Sequence, residues 1–230
     1  MKTIYTIDNG NGHPHVGIFK TETPERIVPL KDFKVEDGPF SAIISNVGPK
    51  VTFPREFEDK LLDIKSLRDE KSFLDMPVNY TETLGMDRLC NAYYVFKNEL
   101  ENGESILLID AGTFNTFDLI TRNGFAGGFI LPGSKVFLQS YNRGENLPIY
   151  LDAELKSEIP LPTSTEMAIK EGHNLYLLSV INTFIEEYYP DRVILTGGNA
   201  AKLEPIVNMP VEVIPHLIHQ ALFDIAGRVH

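Results

Sequence analysis

Two segments of the chain carry the same residue pattern, an apolar run that ends in Asp-x-Gly. One lies at residues 4–12 and contains Asp8, and the other lies at residues 106–113 and contains Asp110. A carboxylate at the tip of a buried strand, followed by a glycine that lets backbone amides approach a ligand, suits a phosphate group and its metal ion. A single copy is more often a plain turn. Two copies predict two related lobes with a nucleotide in the cleft between them.

A third pattern, at residues 85–88, offers a different chemistry. The residues are Gly85, Met86, Asp87 and Arg88. Asp87 supplies a carboxylate that could take a proton from a hydroxyl group, and Arg88 supplies a guanidinium that could bind an acidic substrate. The segment also stands at the predicted start of a helix, where aspartate is a favoured cap residue. Spacing alone leaves both interpretations open.

Further glycine, threonine and histidine residues extend the candidate phosphate site. Thr113 adds a hydroxyl group to the second Asp-x-Gly turn, and Gly197 and Gly198 follow a predicted strand. Such glycines would let an adenine or ribose lie against the backbone, although an ordinary strand-to-helix turn explains the pair when it is taken alone. His13 and His15 lie close to the first loop, and the other histidines are interpreted as surface or core residues.

The composition limits the kind of protein. A chain of 230 residues with 43% apolar and 23% charged residues can form a globular core. Its net charge of −11 argues against a broad nucleic-acid or anionic-membrane surface. The single cysteine, Cys90, cannot form an internal disulfide, and no apolar run approaches the roughly 18 residues of a membrane span. We expect a soluble cytoplasmic protein without nucleic-acid or membrane partners.

Apolar periodicity and turn residues predict the elements that position these side chains. Strands are predicted at residues 3–7, 42–47, 105–110, 117–121 and 192–196, and helices at residues 85–98 and 166–188. Strands followed by helices in each half imply an α/β fold. With the repeat, this predicts an N-terminal lobe at residues 1–103, with the first phosphate loop and residues 85–88, and a C-terminal lobe at residues 104–230 with the second loop.

Eight motifs in chain order resemble those of a known family, the type III pantothenate kinases. They are Asp8-x-Gly10-Asn11, Ser45-x-Val47-x-Pro49, Gly85-x-Asp87-Arg88, Asp110-x-Gly112-Thr113-x-x-Thr116-x-Asp118, Gly127-Gly128-x-Ile130-x-Pro132-Gly133, Leu147-Pro148, Thr165 ahead of Ala168 and Gly172, and Thr196-Gly197-Gly198. The resemblance runs over most of the chain and is specific because all eight occur in sequence. It implies the actin-like/ribonuclease H-like ATPase fold, with two related lobes whose mixed sheets are flanked by helices.

The resemblance implies ATP-dependent phosphorylation of pantothenate at its primary hydroxyl, the first step toward coenzyme A. It makes Asp87 the general base and assigns Asp110 to a monovalent cation, K⁺ or NH₄⁺. Asp8 would lie next to Mg²⁺, either directly or through water. The pantothenate site would be lined by Tyr80, Gly85, Met86, Asp87, Arg88 and Thr165. The ATP site would comprise Asp8, Asn9, Gly10, Asn11, Gly12, His13, His15, Thr113, Gly197 and Gly198. Family members are dimers, so we also expect a homodimer.

The chain departs from the family pattern in its first loop. The family has a threonine or serine where this chain has Gly12, and Gly12 is followed by His13, Pro14 and His15. A backbone amide of Gly12, or a side-chain donor from His13 or His15, could replace the missing hydroxyl group. The second loop also differs, since Phe114 stands where the family has alanine.

Two alternatives to a pantothenate kinase therefore stay open. One is a paralogue that keeps the fold and ligand binding but has lost efficient catalysis and acts as a regulatory protein. The other is a kinase for another small hydroxylated acid. The retention of Asp8, Asp87, Arg88 and Asp110 favours an active enzyme.

Overall fold

The computed structural model describes residues 2–10, 12–101 and 103–229, which form two compact units. Unit 1 holds the chain up to Leu100, the short segment Asn123–Ala126 and the C-terminal segment from His216. Unit 2 holds Glu101–Arg122 and Gly127–Pro215. The sequence-based division at residue 103 differs from this one, because it left the C-terminal segment with the second lobe.

The secondary structure combines short strands with helices on the sheets. The strands are β1 (Thr3–Asn9), β2 (His15–Phe19), β3 (Pro24–Pro29), β4 (Phe40–Asn46), β5 (Leu61–Asp63), β6 (Ser72–Phe73), β7 (Met76–Pro77), β8 (Ser105–Ala111), β9 (Phe114–Thr121), β10 (Gly124–Pro132), β11 (Arg192–Thr196) and β12 (Val211–Val213). The α-helices are α1 (Arg55–Glu58), α2 (Met86–Tyr94), α3 (Ser134–Gln139), α4 (Thr165–Tyr188), α5 (Ala200–Leu203) and α6 (Leu217–Val229). Among the described residues, no helix has the length and apolar character needed to cross a membrane.

The two large sheets have the same topology. The sheet of unit 1 has the order β3-β2-β1-β4-β5, and the sheet of unit 2 has the order β10-β9-β8-β11-β12. In each, the central strand that carries Asp-x-Gly pairs antiparallel with the next strand in sequence, as β1 with β2 and β8 with β9. The same central strand pairs parallel with a later strand, as β1 with β4 and β8 with β11. The duplication predicted from the two Asp-x-Gly segments is confirmed at the level of strand order.

The sheet of unit 1 is covered on both faces. Side chains alternate along β1, so Tyr5 and Ile7 enter an apolar cluster that also contains Phe57. Thr6 lies on the other face, where α6 packs on β1 and α2 packs on α6. The rings of Phe19 and Phe223 stack there at 4.6 Å between centroids. This packing on β1 explains why the C-terminal helix belongs to unit 1.

The sheet of unit 2 packs against the long helix α4. Its cluster joins strand residues such as Leu107 and Val193 to Leu177, Ile181 and Phe184 of α4. Ser164 caps α4, because its hydroxyl oxygen accepts a hydrogen bond from the Met167 backbone N–H at 3.2 Å. The helix and strand predicted at residues 166–188 and 192–196 are confirmed. The helix predicted at residues 85–98 is also confirmed, although it ends in the π-helical turn Val95–Glu99.

His173, on α4, makes the stability of the fold sensitive to acid. Its ring is fully buried beside Phe137, and neither ring nitrogen has a hydrogen-bond partner among the described residues. Burial lowers the pKa of His173 to about 4, whereas an unfolded chain takes up this proton near pH 6.5. The unfolded state therefore binds more protons below pH 6.5, so the free energy of unfolding falls as the pH is lowered.

We expect His173 to cost about 1–2 kcal/mol of stability between pH 7 and pH 5. The variant His173→Leu replaces the imidazole with an apolar side chain of similar size that has no group to protonate. Urea denaturation at several pH values should show a shallower loss of stability for this variant than for the wild type. Equal pH dependence in the two proteins would mean that the buried imidazole is not the cause.

Candidate functional site

The first Asp-x-Gly loop begins at the carboxyl end of β1. Asp8 is partly exposed there and stands in register with His15 on β2 and Ser45 on β4. Its carboxylate oxygen Oδ2 lies 3.7 Å from His15 Nδ1. An added Cβ atom on Gly10 would lie 3.5 Å from Asp8 Oδ1, an ordinary van der Waals contact. Asn11 lies outside the described residues, and Gly12 and His13 are exposed.

Asn9 ties this loop to the end of β4. Its side-chain amide donates hydrogen bonds to Asn46 Oδ1 and to the Pro49 carbonyl, both at 2.7 Å. Its carbonyl accepts from the backbone N–H groups of Val47 and Gly48. A Cβ atom on Gly48 would lie only 2.7 Å from the carbonyl oxygens of Asn9 and Gly10. The motif Ser45-x-Val47-x-Pro49 therefore fixes the shape of the first loop, and Asn9 supports that loop from a buried position.

His15 is held by a buried histidine that the sequence analysis interpreted as a surface or core residue. Nδ1 of His15 lies 2.9 Å from Nε2 of His219, and Nδ1 of His219 lies 2.8 Å from the Thr6 hydroxyl oxygen. Burial, with His15 and His216 nearby, lowers the pKa of His219 to about 3. Burial and the neighbouring His216 also lower the pKa of His15. Both rings are therefore neutral imidazoles near pH 7, and His15 is the one that lies beside Asp8.

Asp87 stands in the first turn of α2. Gly85 is the N-cap residue, and Asp87 Oδ1 accepts a hydrogen bond from the Arg88 backbone N–H at 2.8 Å. A Cβ atom on Gly85 would lie 2.5 Å from Asp87 Oδ1, so the glycine leaves the room that this carboxylate occupies. Met86 is buried, whereas Asp87 is partly exposed. The turn thus fixes the carboxylate while leaving part of it open to solvent.

Arg88 lies beneath two aromatic rings. Its guanidinium carbon is 5.5 Å from the Tyr80 ring centroid and 5.7 Å from that of Phe125, and the arginine is only 4% exposed. The two rings contact each other edge to face at 5.8 Å. Arg68 fixes the backbone at Tyr80 by donating to the Tyr80 and Thr81 carbonyls, each at 3.1 Å. Sequence reasoning missed Phe125, because nothing local shows that Asn123–Ala126 belongs to unit 1.

Asp110 occupies the matching place in unit 2, at the end of β8. It stands in register with Thr116 on β9 and Thr196 on β11. Gly197 has a φ of 87°, and an added Cβ atom would lie 2.3 Å from Asp110 Oδ1 and 2.8 Å from the Ala111 carbonyl oxygen. Only glycine allows the backbone to pass this close to the carboxylate. The structure therefore brings Asp110 and Gly197 together.

The remaining candidates of unit 2 are exposed. Thr113 is exposed, and its carbonyl accepts a hydrogen bond from the Gly133 backbone N–H at 3.1 Å. The side chain of Phe114 is 48% exposed beside it. Gly198 is exposed, with nothing within 4 Å of an added Cβ atom. Thr165 is exposed at the first position of α4, in a different unit from Asp87 and Arg88.

The family model described as type III pantothenate kinase matches residues 4–187. This chain belongs to that family. It is 29% identical over 239 residues to a type III pantothenate kinase of Azobacteroides pseudotrichonymphae genomovar. CFP2, with 95% of this chain and 94% of the relative covered. It is 38% identical over 125 residues to a type III pantothenate kinase of Phocaeicola vulgatus, with 51% and 50% covered.

Solved structures agree with the fold expected for this family. A conserved putative Baf family transcriptional activator from Campylobacter jejuni has a TM-score of 0.65 and 17% sequence identity, with 98% of each chain covered. That likeness concerns the fold alone. The repeated mixed sheets flanked by helices are those of the actin-like/ribonuclease H-like ATPase fold predicted from the sequence.

The donor groups of the two Asp-x-Gly loops fit the cations that a type III pantothenate kinase would use. Within the described residues, no three His, Cys, Asp or Glu side chains group into a metal cluster. A nucleotide-bound Mg²⁺ needs only one or two carboxylates, because phosphates and water supply its other ligands, and Asp8 fits that role. Asp110 supplies a carboxylate at the matching place in unit 2, where its Oδ1 and the Ala111 carbonyl oxygen both lie near Gly197. Oxygen atoms are the ligands that hard cations take.

Proposed function

We propose that this protein transfers the γ-phosphate of ATP to the primary hydroxyl of pantothenate and so forms 4'-phosphopantothenate, the first step toward coenzyme A. The observation that carries the proposal is that Asp87 stands next to the buried Arg88 at the start of α2, in a chain of this family. Gly85 leaves the space that the Asp87 carboxylate occupies, and the Arg88 guanidinium lies against the Tyr80 ring.

In this proposal Asp87 is the general base. Its carboxylate accepts the proton of the substrate hydroxyl as the oxygen attacks the phosphorus atom, and it needs no covalent intermediate. Gly85 and the Arg88 backbone N–H hold that carboxylate in place. Arg88 pairs with the pantothenate carboxylate, and Tyr80 and Met86 line the same substrate site. Positioning supplies much of the rate gain in such a reaction.

Residues of the first loop hold the nucleotide phosphates. Asp8, Gly10 and Gly12 face the phosphates in unit 1, with His13 and His15 beside them, and Asn9 supports the loop from behind. Within unit 2, the proposed nucleotide contacts are Thr113, Gly197 and Gly198. Mg²⁺, when bound near Asp8, neutralises charge on the phosphates.

The substrate itself can be tested by comparing small hydroxylated acids. Pantothenate should support turnover, and hydroxy acids that lack its amide portion should support little. Pantothenol, the alcohol that lacks the carboxylate, should be a poor substrate if Arg88 binds that group. Equal or faster turnover of an unrelated hydroxy acid would instead identify a kinase for that acid.

We expect turnover to depend on a monovalent cation held by Asp110. Replacing KCl with NaCl at equal ionic strength should lower kcat/KM severalfold or more, and NH₄Cl should restore it. The variant Asp110→Asn keeps the shape of the side chain but loses its charge, so it should respond less to potassium than the wild type. Equal rates in sodium and potassium buffers would contradict this assignment.

We also propose that the protein is a homodimer. An apolar groove in unit 2, between β10 and α4, supports this proposal. The side chains of Phe129 and Tyr188 in this groove are 49% and 45% exposed. Light scattering on the purified protein should give about twice the chain mass of 25.9 kDa. A Tyr188→Asp variant should shift the mass toward one chain, because a charge on an apolar contact is costly. A wild-type mass of one chain would contradict the proposal.

A further inference from the structure

Behind Asp8, three side chains form a row of hydrogen bonds, and two of them, Thr6 and His219, have no role in the proposed function. His15 Nδ1 meets His219 Nε2 at 2.9 Å, His219 Nδ1 meets the Thr6 hydroxyl at 2.8 Å, and that hydroxyl donates to the Gly17 carbonyl at 3.4 Å. Thr6 and His219 are 0% and 1% exposed. We call these three side chains the Thr6–His219–His15 row. It runs from a buried backbone carbonyl to the partly exposed ring beside the first loop.

The two ends of the row favour one direction for its hydrogen bonds. The Gly17 carbonyl can only accept, so it offers a partner to the Thr6 hydroxyl proton at 3.4 Å; with the proton there, the Thr6 oxygen accepts from His219 Nδ1–H at 2.8 Å. A neutral His219 then has a lone pair at Nε2, which accepts from His15 Nδ1–H. The Asp8 carboxylate, 3.7 Å from the same nitrogen, also favours a proton there. His15 is therefore left with its lone pair at Nε2.

Gly17 is what allows the row to form. A Cβ atom on Gly17 would lie 2.5 Å from the Thr6 hydroxyl oxygen and 2.9 Å from His219 Nδ1. Any larger residue would push the imidazole away from Thr6. The histidine in the first turn of α6 and the glycine in β2 are thus parts of one arrangement that ends at His15.

We propose that Thr6 and His219 are positioning residues that hold His15 as the Nδ1–H tautomer, so that its Nε2 lone pair accepts a hydrogen bond from water on the divalent cation of the bound nucleotide. The inference rests on the proposed function, because it needs a metal-bound nucleotide beside Asp8. A lone pair repels a phosphate oxygen but accepts from metal-bound water, and Mg²⁺ keeps several waters when it binds. His15 would then supply a polar contact near Gly12, which has no side-chain hydroxyl group.

The tautomer of His15 can be measured in the absence of a ligand. Nitrogen-15 NMR of histidine-labelled protein should show a protonated Nδ1 and an unprotonated Nε2 for His15. Thr6→Val keeps the shape of the side chain but removes the acceptor for His219 Nδ1–H, so His219 should move its proton to Nε2 and His15 should change tautomer. Thr6→Ser keeps the hydroxyl group and should match the wild type. A wild-type His15 protonated at Nε2 would contradict the proposed direction of the hydrogen bonds in the row. No difference in tautomer between the valine and serine variants would contradict it too.

Calorimetry tests the proposed contact between His15 and the water on the cation. The affinity for a non-hydrolysable ATP analogue is measured with Mg²⁺ and with EDTA. We expect Thr6→Val to weaken binding of the Mg²⁺ complex about 5- to 10-fold and to leave metal-free binding unchanged, and Thr6→Ser to bind as the wild type does. Equal Mg²⁺-dependent affinity in the valine variant and the wild type would overturn the inference and leave the kinase proposal standing. A wild type that binds neither form would overturn the kinase proposal as well.

A second pair of variants covers the case in which Thr6→Val does not fold. His219→Gln offers a carbonyl oxygen to His15 Nδ1–H, whereas His219→Leu offers no acceptor. We expect the glutamine variant to keep the His15 tautomer and most of the Mg²⁺-dependent affinity, and the leucine variant to lose both. Equal behaviour of the two variants would contradict a positioning role for His219.

Discussion

The variant Asp87→Asn is expected to lower kcat by about 10²- to 10⁴-fold, the range that a positioned general base contributes. Asparagine keeps an oxygen that can accept from the Arg88 backbone N–H, so the turn at Gly85 and the start of α2 should persist. The loss should fall on kcat, with little change in the affinity for ATP, because the proton is taken in the transition state. Steady-state kinetics with pantothenate as the varied substrate measures both quantities.

Glu82 provides a matched control for Asp87. It is an exposed carboxylate five residues earlier, so Glu82→Gln makes the same chemical change outside the proposed site. This variant should keep wild-type turnover, and thermal melting should show that both variants are folded. Near-normal turnover in Asp87→Asn would remove Asp87 from the role of general base.

The second large effect is expected at Arg88. Arg88→Met keeps an unbranched side chain under the rings of Tyr80 and Phe125 but removes the charge that would pair with the pantothenate carboxylate. A lost charge-assisted pair of about 1.5–3 kcal/mol corresponds to a rise in the pantothenate KM of about 10- to 100-fold. The KM for ATP should stay within about twofold of the wild type, since the change concerns the acceptor substrate.

Pantothenol separates loss of charge recognition from a general disturbance at Arg88. The wild type should prefer pantothenate to pantothenol strongly, and Arg88→Met should treat the two compounds nearly alike. Arg88→Lys should lie between them, because lysine keeps the charge but loses the planar, paired donors of arginine. An unchanged preference in Arg88→Met would show that another group binds the carboxylate.

Local sequence patterns predicted the elements that carry the site. The strands before Asp8 and Asp110, and the helix that starts at Met86, follow from apolar periodicity and turn residues, and the duplicated strand order follows from the repeat. The Asp87–Arg88 pair was visible because both residues are adjacent in sequence. Glycine signals were also informative, since Gly85 and Gly197 leave the space that the two carboxylates need.

Contacts between distant parts of the chain could not be predicted in this way. His219 reaches His15 only because α6 packs on β1, and Phe125 reaches Arg88 only because Asn123–Ala126 groups with unit 1. Such contacts depend on tertiary packing, which leaves no periodic signal in a single sequence. For the same reason the sequence-based boundary at residue 103 left α6 with the second lobe, whereas the structure packs α6 on β1 of unit 1.

The most direct test of this account is ADP release by the purified protein with ATP, Mg²⁺ and K⁺, measured with and without pantothenate. The account predicts release that depends on pantothenate, yields one phosphorylated pantothenate for each ADP, and is nearly abolished in Asp87→Asn. Absence of pantothenate-dependent release, with calorimetry still showing that nucleotide or pantothenate binds, would contradict it and would favour a regulatory protein that has kept the fold of its family.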